Sequence, residues 1–227
     1  MVQMPKAQPK EKEPDSLPSL LKRLDKDDPK VMAEAVGAIR DEADNMQRLV
    51  EQLLFLARGD AGHTPFDPAP VDLNALVREA GEEYALIHPE REWRVKAEAG
   101  NNALGDGAML KQALRVLADN ALKYSPPGST VTLRAFTHEN GMACLSVQDN
   151  GAGIRPEDLP HIFERFYRSD PARGRGGTGL GLSIALWIAQ RHGGYFEVFS
   201  REGVGTRFIL FLPPAKELVA ETVDSTG

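Results

Sequence analysis

Three short stretches in the second half of the chain place polar or glycine residues where the surrounding pattern calls for something apolar. In DNALKYS, Asn120 and Lys123 are three residues apart and are neighbours on one helix face. The Asn120 amide oxygen suits a hard cation, Lys123 is a point charge for phosphate, and Tyr124 is an aromatic plane. In DNGAGI, residues 149 to 154, a strand ends on Asp149. Its carboxylate is an acceptor, and Gly151 and Gly153 leave room for a flat ring. The third stretch, GRGGTGLGLSIA from residue 174, runs a glycine-rich loop straight into an apolar helix. Glycine lets backbone N–H groups approach an anion, and a helix N-terminus favours negative charge. Neither familiar phosphate signature fits. No lysine follows Gly179 or Gly181, as a P-loop requires. Gly174, Gly176 and Gly179 have the dinucleotide spacing, but FERFYRSDPAR before them is charged and proline-broken and does not read as a buried strand.

The elements around these stretches read as mixed α/β. Asp72 can cap a helix through Leu73, Leu76, Val77, Ala80 and Tyr84. EWRVKAE reads as a strand, and an amphipathic helix with Asp106 near its start runs to DNALKYS. VTLRAFT and ACLSVQD flank the turn signal ENG as a hairpin. RPEDLPHIFERFY is expected as a short helix, Gly181 to Arg191 as another, and YFEVFS and TRFILFL as a closing hairpin. The implied order, α-β-α-β-β-α-α-β-β, is a layer of helices on one mixed sheet.

The first part of the chain has a different grain. Residues 1–15 are proline- and lysine-rich, nearly without apolar residues, and are expected to be disordered. Residues 16–60 form a helical region whose first helix is short, with Leu17, Leu21 and Leu24 on one face. In the second helix Val36, Ile39, Ala43, Met46, Val50, Leu53 and Ala57 form an alternating three–four seam. A helix of that length, roughly 40 Å, needs a partner surface, and a second copy of the chain is the obvious source. Residues 61–71, with three prolines, read as a linker, and His63 as a solvated loop residue. The second domain then spans 72–214, and a loose tail 215–227.

Composition narrows the function. A net charge of −6 over 227 residues, with both signs interspersed, argues against nucleic-acid binding. The single cysteine, Cys144, lies in an apolar alternating run and reads as core, so neither an intrachain disulfide nor a thiolate cluster is available. No apolar stretch approaches the length of a membrane span and no signal peptide opens the chain, which points to the cytoplasm, with membrane attachment only through segments outside it.

Taken in order and spacing, ADNALKYSPPG, DNGAGI, IFERFYR, GTGLGLSIA, and HGG followed by GVGTRFILFLP resemble the nucleotide-binding boxes of the sensor histidine kinases of two-component signalling, over about residues 72–214. AIRDEADNMQRLVEQLLFLARGDAG is similar to the second helix of that family's dimerisation and phosphotransfer hairpin. The resemblance implies an α+β protein: a helical hairpin that pairs into a four-helix bundle, then an α/β sandwich ATP-binding domain of the histidine kinase, gyrase and MutL type. It implies ATP and Mg²⁺ as cofactors, with Asp149 accepting from the adenine amino group, Tyr124 beside the ring and Asn120 carrying Mg²⁺. Lys123 would contact a phosphate and Arg168 the terminal phosphates. Gly174 to Gly181 would form a lid. Gly151, Gly153, Gly177, Thr178, Gly179, Leu180, Gly181 and Thr206 complete the implied nucleotide site, and a homodimer and a response-regulator receiver domain are the implied partners.

Two departures stand out. Val116 occupies a place where the family often has another asparagine, which puts metal affinity in question. The family's S-H-E-L-R-T-P-L motif, with the phosphoacceptor histidine, would fall near Lys6 or Ala7; no histidine precedes His63, and Pro5, Pro9 and Pro14 cross that region. His88, His138, His161 and His192 lie in the second domain and read as surface or loop positions. The expected function is a histidine-kinase catalytic core without its own phosphoacceptor. The alternative is a non-catalytic ATP-binding module that docks a kinase or a response regulator. A serine kinase of the anti-sigma type fits less well, given the phenylalanine-rich box and the seam.

Overall fold

The computed structural model describes residues 29–98, 101–169 and 177–215. The segment expected to be disordered, the short helix expected at 16–24, most of the expected tail 215–227 and the expected lid residues Gly174 and Gly176 lie outside them. The chain divides into two compact units, residues 1–50 and 51–227.

In the first unit, the described residues belong to helix α1 (Pro29–Asp60), which continues into the second unit. The seam read from the sequence is open to solvent there: Val36, Ile39, Met46 and Val50 are each about half exposed or more. From residue 51 onward a different face is buried. Leu56 is 2% exposed, Gln52, Phe55 and Gly59 are partly covered, and the seam residues Leu53 and Ala57 remain exposed. Phe55 meets the edge of Trp187 at 5.2 Å, and a Cβ on Gly59 would lie 2.6 Å from the same indole.

The second unit is built on a five-stranded sheet, in the order β2 (Glu92–Ala97), β4 (Thr130–Thr137), β5 (Ala143–Asp149), β7 (Gly205–Leu212), β6 (Tyr195–Arg201). β2 pairs β4 in parallel, and the other pairings are antiparallel. Helices α2 (Leu73–Ile87), α3 (Gly107–Tyr124) and α4 (Gly181–Arg191) supply the helical layer. Asp72 caps α2 as read, and Asp106 caps α3; each accepts two backbone N–H groups. Strand alternation decides which residues face that layer: a Cβ on Gly81 of α2 would touch Val95 and Leu133. The same parity carries Val131, Ala135, Leu145, Val147, Leu210 and Leu212, all buried. The opposite face has its own smaller cluster of Cys144, Ile209 and Phe211, flanked by Phe136 and Met142. Burial pushes the Cys144 thiol up to about 12, in keeping with a core residue.

Three expectations are corrected. The stretch read as linker 61–71 contains the start of strand β1 (Ala69–Asp72), which pairs antiparallel with β3 (Asn102–Gly105). Both strands are only four residues long, and proline and glycine masked their pattern. The helix expected over RPEDLPHIFERFY is one 3-10 turn, Leu159–His161. Pro156 and Pro160 interrupt a longer ladder. His192 is 5% exposed and is no surface residue. Its Nδ1 lies 2.7 Å from the Ile188 carbonyl and its Nε2 accepts the Asp106 N–H at 2.9 Å, which fixes a neutral tautomer. Phe66 closes the ring edge-on at 4.9 Å.

That geometry makes His192 the joint between the end of α4 and the entry to α3. His192→Ala is expected to cost about 1–3 kcal/mol for the orphaned Asp106 N–H alone, with more for the void. Denaturant unfolding measures it, and a change below that range would show that the bond contributes little.

Candidate functional site

The last turn of α3 presents Asn120, Lys123 and Tyr124 before Ser125 ends the helix. Asp119 turns away: it accepts the Tyr84 hydroxyl of α2 at 2.7 Å. Asn120 is half-buried, and its Nδ2 is enclosed without a hydrogen-bond partner among the described residues. Lys123 Nζ stands 4.8 Å from the centroid of the Tyr124 ring, which is 40% exposed.

The end of β5 is stitched to the same place. Ala152 N–H donates to the Tyr124 carbonyl at 3.0 Å, and a Cβ on Gly151 would fall 2.3 Å from that oxygen, so only glycine fits. Asp149, 7% exposed, accepts the Gly151 N–H at 2.7 Å and lies across from Thr206 of β7. Burial nevertheless holds its carboxyl above the usual carboxylate range, the nearby backbone N–H groups of Gly151 and Thr206 opposing the shift. On the far side the turn leans on the β6–β7 hairpin: Gly203 N–H donates to the Ala152 carbonyl at 2.7 Å, and Ile154 N–H to Ser200 Oγ at 2.8 Å. Gly153 has φ +69°, and a Cβ there would meet the Arg201 carbonyl at 2.1 Å.

The third stretch arrives through the root of α4. Thr178 Oγ1 donates to Gln52 Oε1 at 2.5 Å and accepts the Leu180 N–H at 3.2 Å. Leu180 is fully buried, and Gly181 opens α4 against Val116, whose Cγ1 would lie 3.3 Å from an added Cβ. Val116 thus packs against the start of α4. Gly177 lies against Lys123: a Cβ there would be 2.4 Å from Nζ. Gly179, at φ +71°, accepts the Phe166 N–H at 3.0 Å.

The structure therefore brings Asn120, Lys123, Tyr124, Asp149, Gly151, Gly153, Thr206 and Gly177 to Gly181 into one neighbourhood. It does not tie Arg168 to them: this half-buried side chain makes no hydrogen bond or ion pair among the described residues. Sequence reasoning missed the fastenings of the phenylalanine-rich segment. Phe163 enters the core against Phe196 and Phe208. The Tyr167 hydroxyl donates to Asp158 at 2.6 Å, and Arg155 forks onto the same carboxylate. The Tyr167 and Arg155 bonds hold the Asp158 carboxyl below its usual range. Arg165 forks onto Asp60 at 2.8 Å for both bonds. Phe166 is 58% exposed at φ +65°, a strained conformation for an aromatic residue. Only the off-seam spacing of Phe55, Leu56 and Gly59 hinted at this side of the unit.

Chemically, the neighbourhood offers a buried acceptor beside an exposed ring, an amide oxygen, an ammonium group and glycine-lined backbone, which suit a base, a cation and phosphates together. No group of three or more His, Cys, Asp or Glu that could hold a metal by itself occurs among the described residues.

Comparison with known proteins agrees with that reading. Residues 105–216 match the family of histidine kinase-, DNA gyrase B-, and HSP90-like ATPases. The chain is 40% identical over 195 residues to the sensor histidine kinase YkoH of Bacillus subtilis, covering 85% of this chain and 42% of that protein. It is 36% identical to the phosphate regulon sensor protein PhoR of Pseudomonas aeruginosa, covering 82% and 43%. The chain thus spans less than half the length of these curated relatives. Among solved structures, the mycobacterial sensor histidine kinase MprB aligns at 32% identity and TM-score 0.56, over 65% of this chain and 97% of that one. Full-length ShkA in complex with AMPPNP aligns at 28% identity and TM-score 0.70, over 82% and 39%. The order of the boxes, the sheet and helix layer that hold them, and these likenesses together place the chain in the sensor histidine kinase family.

Proposed function

We propose that the second unit binds Mg-ATP and delivers the γ-phosphoryl group to a histidine carried on a different chain or segment. The observation that carries this reading is the Asp149 carboxylate at the end of β5, held by the Gly151 N–H and stitched beside Tyr124. Asp149 accepts from the adenine amino group, Tyr124 flanks the ring, Lys123 meets a phosphate, and the backbone of Gly177 to Gly181 closes over the phosphates. Arg168 reaches the terminal phosphates. The residues present fit a magnesium ion: the half-buried Asn120 amide, in the last turn of α3 beside Lys123 and Tyr124, would supply one oxygen ligand. Mg²⁺ keeps most of its ligands as phosphates and water, so one amide suffices. When bound, it neutralises charge on the phosphates being transferred.

The exposed seam of α1 supports a homodimer in which a second copy covers Val36, Ile39, Met46 and Val50. The receiver domain of a response regulator is the onward partner. No helix among the described residues is long and apolar enough to cross a membrane, and the proposed site of action is the cytoplasm, where ATP is supplied. One observation favours a second reading, a nucleotide-binding module that docks without transferring phosphate: no histidine lies on α1.

Asn120→Ala is expected to abolish the magnesium dependence of ATP binding and to weaken Mg-ATP by about tenfold, or about 1.4 kcal/mol. Calorimetry with and without magnesium measures both. Equal magnesium dependence in wild type and variant would remove Asn120 from the site.

A further inference from the structure

At the end of the sheet remote from the Cys144 cluster, on the face turned away from the helices, lies a cleft of about 310 Å³. Strand parity sets its lining. Gln148 pairs across to Arg207, and Arg207 to Phe199, all opposite in parity to the buried Val147 and Phe208. Arg201, Asn150 and Val204 complete the walls. Asp149, Thr206 and Ser200 also border the cleft, but their side chains have the helix-side parity: the Asp149 carboxylate is bonded to Gly151 N–H, and the Ser200 and Thr206 hydroxyls to each other.

The lining is unusual for a surface left bare. Phe199 and Val204 are 50% and 56% exposed. The Arg207 guanidinium lies 4.7 Å from the Phe199 centroid, which keeps its donors directed without a carboxylate. Neither Arg201 nor Arg207 forms a salt bridge among the described residues. Of the nearby acids, Glu197 lies one row along the strand, opposite Ile209, and Glu202 follows Arg201 into the turn; neither forms a salt bridge with Arg201 or Arg207 among the described residues. Two forked cations, two amides and two exposed apolar groups thus converge on one small concavity, and nothing in the nucleotide site uses them.

We propose that this cleft is a second binding site, separate from the nucleotide site, for a small amphipathic anion: one carboxylate or phosphate head with a compact apolar or aromatic body. The guanidinium groups take the head in forked hydrogen bonds, Gln148 and Asn150 fix its orientation, and Phe199 and Val204 cover the body. The proposal does not depend on the adenine assignment, because the two sites lie on opposite faces of the sheet.

The test is titration of the full chain with phenyl phosphate, followed by backbone amide resonances, with and without saturating Mg-ATP. Saturable shifts confined to residues around 148–150 and 199–207 are expected in both conditions. Arg207→Met and Arg201→Met should each weaken binding at least tenfold, and both variants change only cleft side chains. Benzyl alcohol, which lacks the anion, should give no saturable shift, and inorganic phosphate, which lacks the body, should bind at least threefold more weakly. Absence of saturation, displacement by Mg-ATP, equal binding of inorganic phosphate, or unchanged binding in both variants would overturn the proposal. So would saturation by a glutamate-rich peptide in place of phenyl phosphate, since that marks a protein-docking surface.

Discussion

Asp149→Asn should lower ATP affinity by about tenfold or more in calorimetry while leaving the ligand-free protein at least as stable as the wild type. The affinity loss follows from donor and acceptor identity. An ionised carboxylate only accepts, whereas an amide whose oxygen serves the Gly151 N–H turns its NH₂ toward the adenine amino group. A lost hydrogen bond with an opposed donor pair costs about 1–3 kcal/mol, and tenfold is about 1.4 kcal/mol. The stability half follows from burial. The folded-state pKa of Asp149 lies above its unfolded value, so ionisation costs more in the folded protein than in the unfolded chain. Its contribution is therefore most favourable below the unfolded pKa and is lost as pH rises through the folded one. Asparagine carries no such loss. The difference in melting temperature between variant and wild type should shift in favour of the variant from acidic to neutral pH. Unchanged ATP affinity would remove Asp149 from adenine recognition.

Incubated alone with labelled ATP, the 227-residue chain should acquire no acid-labile phosphohistidine, yet should label a separate histidine-bearing helical hairpin from a family kinase. The five histidines are His63, His88, His138, His161 and His192, and none lies on α1. His192 is buried with both ring nitrogens engaged. His161 is engaged with Glu164 through Nδ1 at 2.7 Å. His138 packs edge-on to Phe211 behind the sheet. A phosphoryl acceptor has to meet the γ-phosphate in line, and residues fixed in the sandwich that carries the nucleotide cannot swing into that position. Stoichiometric acid-labile label on the chain itself would overturn this. Failure to label any hairpin despite tight ATP binding would favour the docking module without transfer.

Much of the candidate site was legible because its signals are local. DNALKYS, DNGAGI and GTGLGLSIA each sit at an element boundary that caps, glycines and periodicity mark within a few residues. The helices α1 to α4 and the strands β2 and β4 to β7 fall where the pattern put them. The expected helix over RPEDLPHIFERFY failed for the opposite reason: its apolar spacing was helical, but Pro156 and Pro160 interrupt the ladder and the segment is held by distant partners of Phe163 and Arg165.

The sequence by itself determined the order of the boxes, the residue types that could meet adenine, metal and phosphate, and the seam along α1. These depend on chemistry and spacing within one turn or one strand. Tertiary structure alone decided that β1 pairs with β3, that His192 is a buried joint, that Asp119 serves Tyr84, and that Arg165 reaches Asp60 across 105 residues. It also decided that α1 beyond residue 50 buries Leu56 and leaves the seam residues Leu53 and Ala57 open. Each of these outcomes depends on which surfaces meet after the chain has turned back on itself, and no local pattern encodes that choice. A side chain's partner in the fold is selected by packing and hydrogen-bond satisfaction over the whole unit.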